Sequence, residues 1–375
     1  MIDPHFDDSH RDLDRRYRDF GESHLRAVAR HEEAPIERAR EVGSRLGESG
    51  LLAPAVPTPF GTASGRGVLV ARERLAYFSL LAEMVFSAQA LAAQLIGAAG
   101  TEVQCRRWLG PLASGDVLGA VGLSEPEAGA DLGAARTQAE EDGALWRLSG
   151  LKSWVTGAGS AGVYVVLARA PGSEGPRGLS LFLLDGEAPG LTVHPIEPMA
   201  ALPVAEVRLA GTPAVRLGEE GQGLPLVAKA YEVLRPGAAG AACGLAARAL
   251  DETVRHAQAR RQFGRPIAAF PTTRMALADM HATVEAARRL ARHAAWLADA
   301  GAEEAPRAAA AARLVATGAA EAAVQRALEV HGAQGLVRGS TVERLFREAR
   351  ALRLREGTTE IVRLELAEAI LKESR

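Results

Sequence analysis

Two hydrophobic rhythms alternate along the chain, and the points where they switch divide it into three blocks. Through residues 1–115 apolar positions recur at helical spacing, as in Leu13, Tyr17 and Phe20 and again between Leu75 and Ile96, with a Pro/Gly-rich break at 54–67. Over 116–225 the pattern shortens to apolar or alternating runs at 163–167, 179–184 and 204–209, punctuated by Gly and Pro, which predicts strands. From 226 to 375 helical spacing returns in long Ala-rich segments at 238–261, 275–300 and 307–330, followed by two more helices flanking Glu356. The expected fold is α+β and mostly helical: an N-terminal α-helical domain (1–115), a middle β domain (116–225) and a C-terminal four-helix bundle (226–375).

Composition narrows the class. A chain of 375 residues, 47% hydrophobic and 24% charged, is long enough for two or three domains around a substantial interior. A formal net charge of −2, with Arg interspersed among Glu and Asp, gives no support for nucleic-acid or membrane-surface binding. Cys105 and Cys243 are far apart and belong to no Cys/His cluster, so neither a disulfide framework nor a metal site is expected, in keeping with a reducing cytoplasm. The N-terminal stretch lacks the basic and apolar regions of a signal peptide. No apolar run reaches the ~20 residues of a membrane helix. The longest candidate, around Ala88 to Ala99, is interrupted by Gln89, Gln94 and Gly97 and reads as a buried helix.

Gly157-Ala158-Gly159-Ser160-Ala161-Gly162 fits G-x-G-x-x-G, with Asp185 where a ribose-binding acid would stand. A dinucleotide site needs a helix at those glycines, whereas 163–167 reads as a strand, so the segment is expected to be a hairpin turn. Metalloprotease, EF-hand, phosphate-loop and nucleophile-elbow motifs are absent from the sequence. His256, His281 and His293 lie in helical patterns without metal-ligand neighbours and read as surface or packing residues.

The stretch with most chemical promise is Arg355-Glu356-Gly357-Thr358-Thr359-Glu360-Ile361. Upstream Val342, Leu345, Phe346, Ala349 and Leu352, and downstream Val362, Leu366 and Ile370, recur at helical spacing, which puts Glu356 at a junction between two apolar faces. Burial raises a carboxyl pKa and a helix junction aims the group at a cleft, a combination suited to a general base acting on a carbon acid. A helix cap is the simpler alternative.

Four segments in order extend this reading: Val121 to Asp131 (V-G-L-S-E-P-E-A-G-A-D), Lys152-Ser153-Trp154-Val155-Thr156-Gly157, Arg260 to Ile267 (R-R-Q-F-G-R-P-I) and Glu356 to Ile361 (E-G-T-T-E-I). Together they resemble the acyl-CoA dehydrogenase family over nearly the whole chain, most closely its bacterial members acting on short, branched or alicyclic acyl thioesters. The resemblance implies an α-helical, a β and a four-helix-bundle domain, an FAD cofactor, an acyl-CoA thioester substrate, electrons passed to an electron-transfer flavoprotein, and a homotetramer or homodimer. Glu356 matches the base. Its backbone N–H would help polarise the thioester carbonyl, with Gly357 allowing close approach. Trp154 and Thr156 match the flavin-contacting pair. Ser124, beside Leu123, Gly129 and Ala130, stands where Thr is usual and can still donate to the flavin. Arg260 and Phe263 would reach the FAD pyrophosphate and adenosine of a neighbouring subunit. Phe270, Glu329, Gly332, Ala333, Thr358 and Glu360 complete the cofactor positions. Glu232 and Arg235 fall where the pantetheine arm is touched, with Ala130 nearby in that pattern.

Departures from the family are informative. Glu329 replaces Gln near a pyrophosphate and must turn away, be protonated or pair with an arginine such as Arg326 or Arg338. Pro271 and Ala130 each remove a polar contact, which bears on FAD retention. Arg355 stands where Tyr or Ile usually lines the acyl pocket, so it either recognises a carboxylate or other polar group on the acyl chain or turns outward to pair with Glu360 or a neighbouring helix. Alternatives to the acyl-CoA reaction are a carrier-protein thioester as substrate, a flavin oxidase or monooxygenase, and a non-catalytic partner subunit in a mixed assembly.

Overall fold

The computed structural model describes residues 5–28 and 32–373, so Met1 to Pro4, part of the stretch read for a signal peptide, lies outside the described residues. The chain forms two compact units: Met1–His31 with Gly65–Leu80 and Arg235–Arg375, and Glu32–Ser64 with Leu81–Leu234.

The first unit is helical. Pro271–Asp299 and Ala305–His331 pack along each other, and Thr341–Leu354 and Thr359–Glu373 pack on the second of them. The long contact is lined by alanines, among them Ala287, Ala291, Ala294, Ala312, Ala316 and Ala320, all almost fully buried. Small side chains let helix axes approach closely, so the Ala-rich runs are packing surfaces. The same unit holds Asp8–Phe20, where Tyr17 and Phe20 are buried, and Gly65–Phe78. Gly65–Phe78 crosses the Gly223–Ala259 helix where the latter carries Gly237, Gly240 and Gly244 on one face. A Cβ at Gly244 would come within 1.9 Å of the Glu73 carbonyl oxygen, and one at Gly237 within 2.6 Å of the Arg72 Cδ. These glycines make the room in which Arg72 is buried.

The second unit carries the strands. Val163–Arg169 pairs with Gln138–Asp142, which pairs with Leu145–Thr156, which pairs with Val204–Leu217, which pairs with Leu179–Asp185, which returns to Val163–Arg169. The circuit of five strands closes, and Gly119–Gly122 and Leu191–Pro195 extend the sheet by pairing with Val163–Arg169 and Val204–Leu217. Inward residues such as Leu148, Tyr164, Val166, Phe182 and Val207 form its core. All three strands read from the sequence are present. The hairpin at 157–162 is not: Leu145–Thr156 and Val163–Arg169, the strands it joins, have Gln138–Asp142 between them. The glycine run is a crossover turn, held by Arg40 and Ser160 bonding to Gly159 and Ile36 across to the Pro35–Glu48 helix.

Leu80–Ala99 is long and apolar enough to cross a membrane by length and composition, contrary to the reading that no run reaches that length, and 83% of its apolar window is buried inside the protein. Gln89 explains how a polar residue sits there. Its amide donates to the Leu112 and Val117 carbonyls and accepts from the Gly119 N–H, joining the helix to the first strand with no polar atom wasted.

Candidate active site

Glu356 sits in a four-residue link between Thr341–Leu354 and Thr359–Glu373. Val342, Leu345, Ala349 and Leu352 bury the upstream face as read; Phe346 is largely exposed, and downstream only Val362 is fully buried while Ile370 is half exposed. The link has an unusual backbone, with Glu356 at φ 57° and Gly357 at φ 94°. Glutamate in the left-handed region costs roughly 1–2 kcal/mol. Its surroundings supply the compensation.

Arg72, on Gly65–Phe78, grips the Glu356 carboxylate with both terminal nitrogens, at 2.6 and 3.2 Å. Arg72 is 1% and Glu356 12% exposed. Arg355 adds a second guanidinium 3.8 Å from the same carboxylate. Arg313, on Ala305–His331, donates to the carbonyl oxygens of Arg355, Glu356 and Gly357 in succession. Two expectations are corrected here. Burial by itself pushes the Glu356 carboxyl up, yet Arg72, Arg355 and Arg313 together push it further down, to about 2, so the group is a buried anion at neutral pH. Arg355 does not turn outward to Glu360; it lies beside the carboxylate. Glu360 instead occupies the exposed first turn of the last helix, where Thr358 caps Ile361.

In the second unit the residues around Leu123, Ser124, Trp154 and Thr156 are tied together. The Ser153 N–H donates to the Ser124 carbonyl at 2.9 Å. Lys152, fully buried, donates to the Leu123 carbonyl and to Glu125, which also accepts from the Arg136 and Thr137 amides and the Thr137 hydroxyl. Burial pulls the Lys152 ammonium down to about 8, with Glu125 opposing. Because both Glu125 oxygens accept and Lys152 reaches the Leu123 carbonyl as well as Glu125, the pair is a scaffold for the two flanking segments. Glu125→Gln is expected to destabilise the protein by about 3 kcal/mol at neutral pH, since it strands a buried cation. Denaturant unfolding of Glu125→Gln against the Glu125→Gln/Lys152→Met double variant measures this, the double variant regaining most of the loss.

Trp154, held at φ 57°, keeps its indole 59% exposed, and Phe263, at φ 50°, is 93% exposed. Thr156 is half-buried, while Gly129 and Ala130 are exposed on the loop after Glu125. Phe263 meets Phe270 edge-on at 6.1 Å, and Arg265 lies over the Phe270 ring at 4.3 Å. Stacking of His256 on His331 at 4.1 Å joins the helix end that precedes exposed Arg260 to the helix end that carries Glu329, Gly332 and Ala333. Glu329 pairs with Arg326 at 2.6 Å, one of the three dispositions its sequence position left open. Glu232 is exposed; Arg235 donates to Glu365 at 2.8 Å, and among the described residues the Arg235 Nε and one Glu365 oxygen are buried without a partner. Arg72 and Arg313 were missed by sequence reading. Their signal is a charge on an otherwise apolar helical face, Val68-Leu69-Val70-Ala71-Arg72 in the first case and an alanine run in the second.

The chain is 34% identical to the short-chain specific acyl-CoA dehydrogenase of Bos taurus mitochondria over 98% of its length and 91% of that protein. It belongs to the acyl-CoA dehydrogenase family. The family's N-terminal, middle and C-terminal domain patterns match residues 7–116, 120–211 and 221–371. The 3-(aryl)acrylate reductase of Clostridium sporogenes is 31% identical over 98% of this chain and all of that protein. A solved structure of a glutaryl-CoA dehydrogenase from Mycobacterium smegmatis in complex with FADH2 superposes with a TM-score of 0.89 at 25% identity, covering 98% of this chain and 95% of that one. The three-domain family fold is therefore the fold of this chain, an oxidoreductase acting on CH–CH donors with FAD as cofactor. Within the second unit, Trp154 presents its exposed indole from a strained backbone, which suits a planar ligand such as a flavin better than it serves folding.

Proposed function

We propose that the protein is an acyl-CoA dehydrogenase that desaturates a short acyl thioester between Cα and Cβ and passes the electrons to an electron-transfer flavoprotein. The observation that carries this reading is a buried Glu356 held ionised by Arg72 and Arg355. A general base must be deprotonated before it acts, and Arg72 keeps it so. Glu356 would take the α-proton, and its N–H would bond to the thioester oxygen as negative charge gathers there. Bound FAD would supply the acceptor for the hydride from Cβ, so two hydrogens leave the substrate as the double bond forms, one as a proton to Glu356 and the other with both electrons of its C–H bond. Trp154 and Thr156 would hold the isoalloxazine, with Leu123 and Ser124 at its polar edge. Arg260 and Phe263 would serve the rest of the cofactor from a neighbouring subunit of a homotetramer. Arg235, whose side chain is partly exposed, suits the pantetheine arm.

Among short, branched and cyclic acyl groups, two guanidiniums beside the base favour a chain that ends in a carboxylate. A buried cation pair is a poor lining for a purely aliphatic group. An incoming carboxylate could instead take one arginine, loosening the grip on Glu356 as the base is needed.

Anaerobic titration of the purified, FAD-loaded protein with butyryl-, isovaleryl-, cyclohexanecarbonyl- and glutaryl-CoA tests both levels. Bleaching of the flavin band is expected, with glutaryl-CoA giving the highest kcat/KM. No bleaching by any acyl-CoA would overturn the dehydrogenase reading. Preference for cyclohexanecarbonyl-CoA over glutaryl-CoA would overturn only the acidic acyl group.

A further inference from the structure

Arg313 is 3% exposed, lies 43 positions from Glu356 and directs both terminal nitrogens of its guanidinium at backbone. Nη1 donates to the Glu356 carbonyl at 2.7 Å, and Nη2 donates to the carbonyls of Arg355 and Gly357. One cation thus collects three consecutive carbonyl oxygens. The peptide bonds there are trans, the described cis bond being Thr58–Pro59. In a planar trans peptide the N–H points opposite to the carbonyl of the same unit. Fixing the oxygens of 355, 356 and 357 on Arg313 therefore fixes the N–H groups of Glu356, Gly357 and Thr358 toward the other side of the link. The positive φ values at Glu356 and Gly357 are what allow successive carbonyls to converge in this way.

We infer that Arg313 is the positioning residue for the oxyanion-binding amides of the Glu356 link, acting from the face opposite to the substrate. This rests on the acyl-CoA dehydrogenase reading. Arg313 touches neither the reacting carbons nor the thioester. Its role is to prepay the ordering of a strained loop so that the amide donors need no rearrangement as charge develops. Its positive charge, one peptide unit behind those donors, also draws electron density through each carbonyl and makes the N–H groups stronger donors. Gly357 fits the arrangement, since its φ of 94° is a backbone conformation that residues with a side chain rarely adopt.

The test uses the FAD-loaded full-length protein and 4-dimethylaminocinnamoyl-CoA, whose absorbance moves to longer wavelength when its carbonyl is polarised. Wild type is expected to give a clear red shift on binding. Arg313→Met should keep its flavin spectrum and bind the chromophore, lose at least half of the red shift, and lower kcat by roughly 100-fold with KM little changed, the scale of a lost oxyanion donor. Arg313→Gln, which is shorter but keeps a polar end with two N–H donors and no charge, should show the same deficit if the methionine variant does not fold. Arg313→Lys, which restores a cation with three donors, should recover most of both readouts. A folded Met or Gln variant with the wild-type red shift and kcat would overturn the role of Arg313. Absence of a red shift in wild type, together with no bleaching by acyl-CoA, would instead sink the dehydrogenase reading.

Discussion

Glu356→Gln is expected to lower kcat by roughly 100- to 10,000-fold while the flavin spectrum stays intact, the range spanned by loss of a positioned general base. Glutamine preserves volume and can still accept from Arg72, so the substrate space is unchanged; only the basic oxygen goes. Stopped-flow measurement of flavin reduction isolates the step that contains proton removal. Turnover within tenfold of wild type would show that another group takes the proton. The substitution also has a thermodynamic signature. The Glu356 carboxyl lies at about 2, below its ordinary 4.5, so the ion pair contributes stability that is complete above pH 4.5 and is lost as pH falls from there toward 2. Glu356→Gln should accordingly be less stable than wild type at neutral pH by about 3 kcal/mol, with the gap closing in acid. Denaturant unfolding at a series of pH values checks the sign as well as the size.

The fold class was legible in the sequence because each stretch keeps one hydrophobic period: 3.6 in the helical segments and near 2 in the strands at 163–167, 179–184 and 204–209. The Glu356 link was legible because Gly357 interrupts two apolar helical patterns. What the pattern could not carry was pairing over long separations. Arg72 is 284 positions from Glu356, and its burial depends on Gly237 and Gly244 of a third segment letting two helices meet. Without that contact, burial alone argues for a raised carboxyl pKa; with it, the direction reverses. The crossover at 157–162 fails for a related reason. A turn between two strands reads as a hairpin unless the third strand that enters between them is known, and Gln138–Asp142 is short, polar and mostly exposed. Arg355 was ambiguous because a long side chain next to Glu356 can face either solvent or that carboxylate, and nothing in the sequence shows which side packing leaves open.

Arg72→Met is the substitution whose effects should split by substrate. Methionine keeps an unbranched chain in the space beside Gly237 but removes the charge that offsets burial of Glu356. Arg355 and Arg313 still face the carboxylate, the first at 3.8 Å and the second through the backbone, so the group remains ionisable but is no longer held near 2. Its pKa should rise, and kcat/KM for butyryl-CoA should gain an acid limb in the region of roughly pH 5–7 where wild type is flat with respect to this group. Above that limb a more basic carboxylate removes a proton at least as well as before, so butyryl-CoA turnover at pH 8 should be retained. Glutaryl-CoA should behave in the opposite way, because its terminal carboxylate loses a buried guanidinium partner. A fall in kcat/KM of roughly 100-fold or more corresponds to a lost buried charge pair of about 3 kcal/mol. A merely structural Arg72 would produce neither pattern: both substrates would decline together, in step with the fraction of folded, FAD-bearing protein, and the shape of the pH profile would not change. Separation of the two substrates therefore tests at once whether Arg72 sets the charge state of Glu356 and whether the acyl end carries an anion.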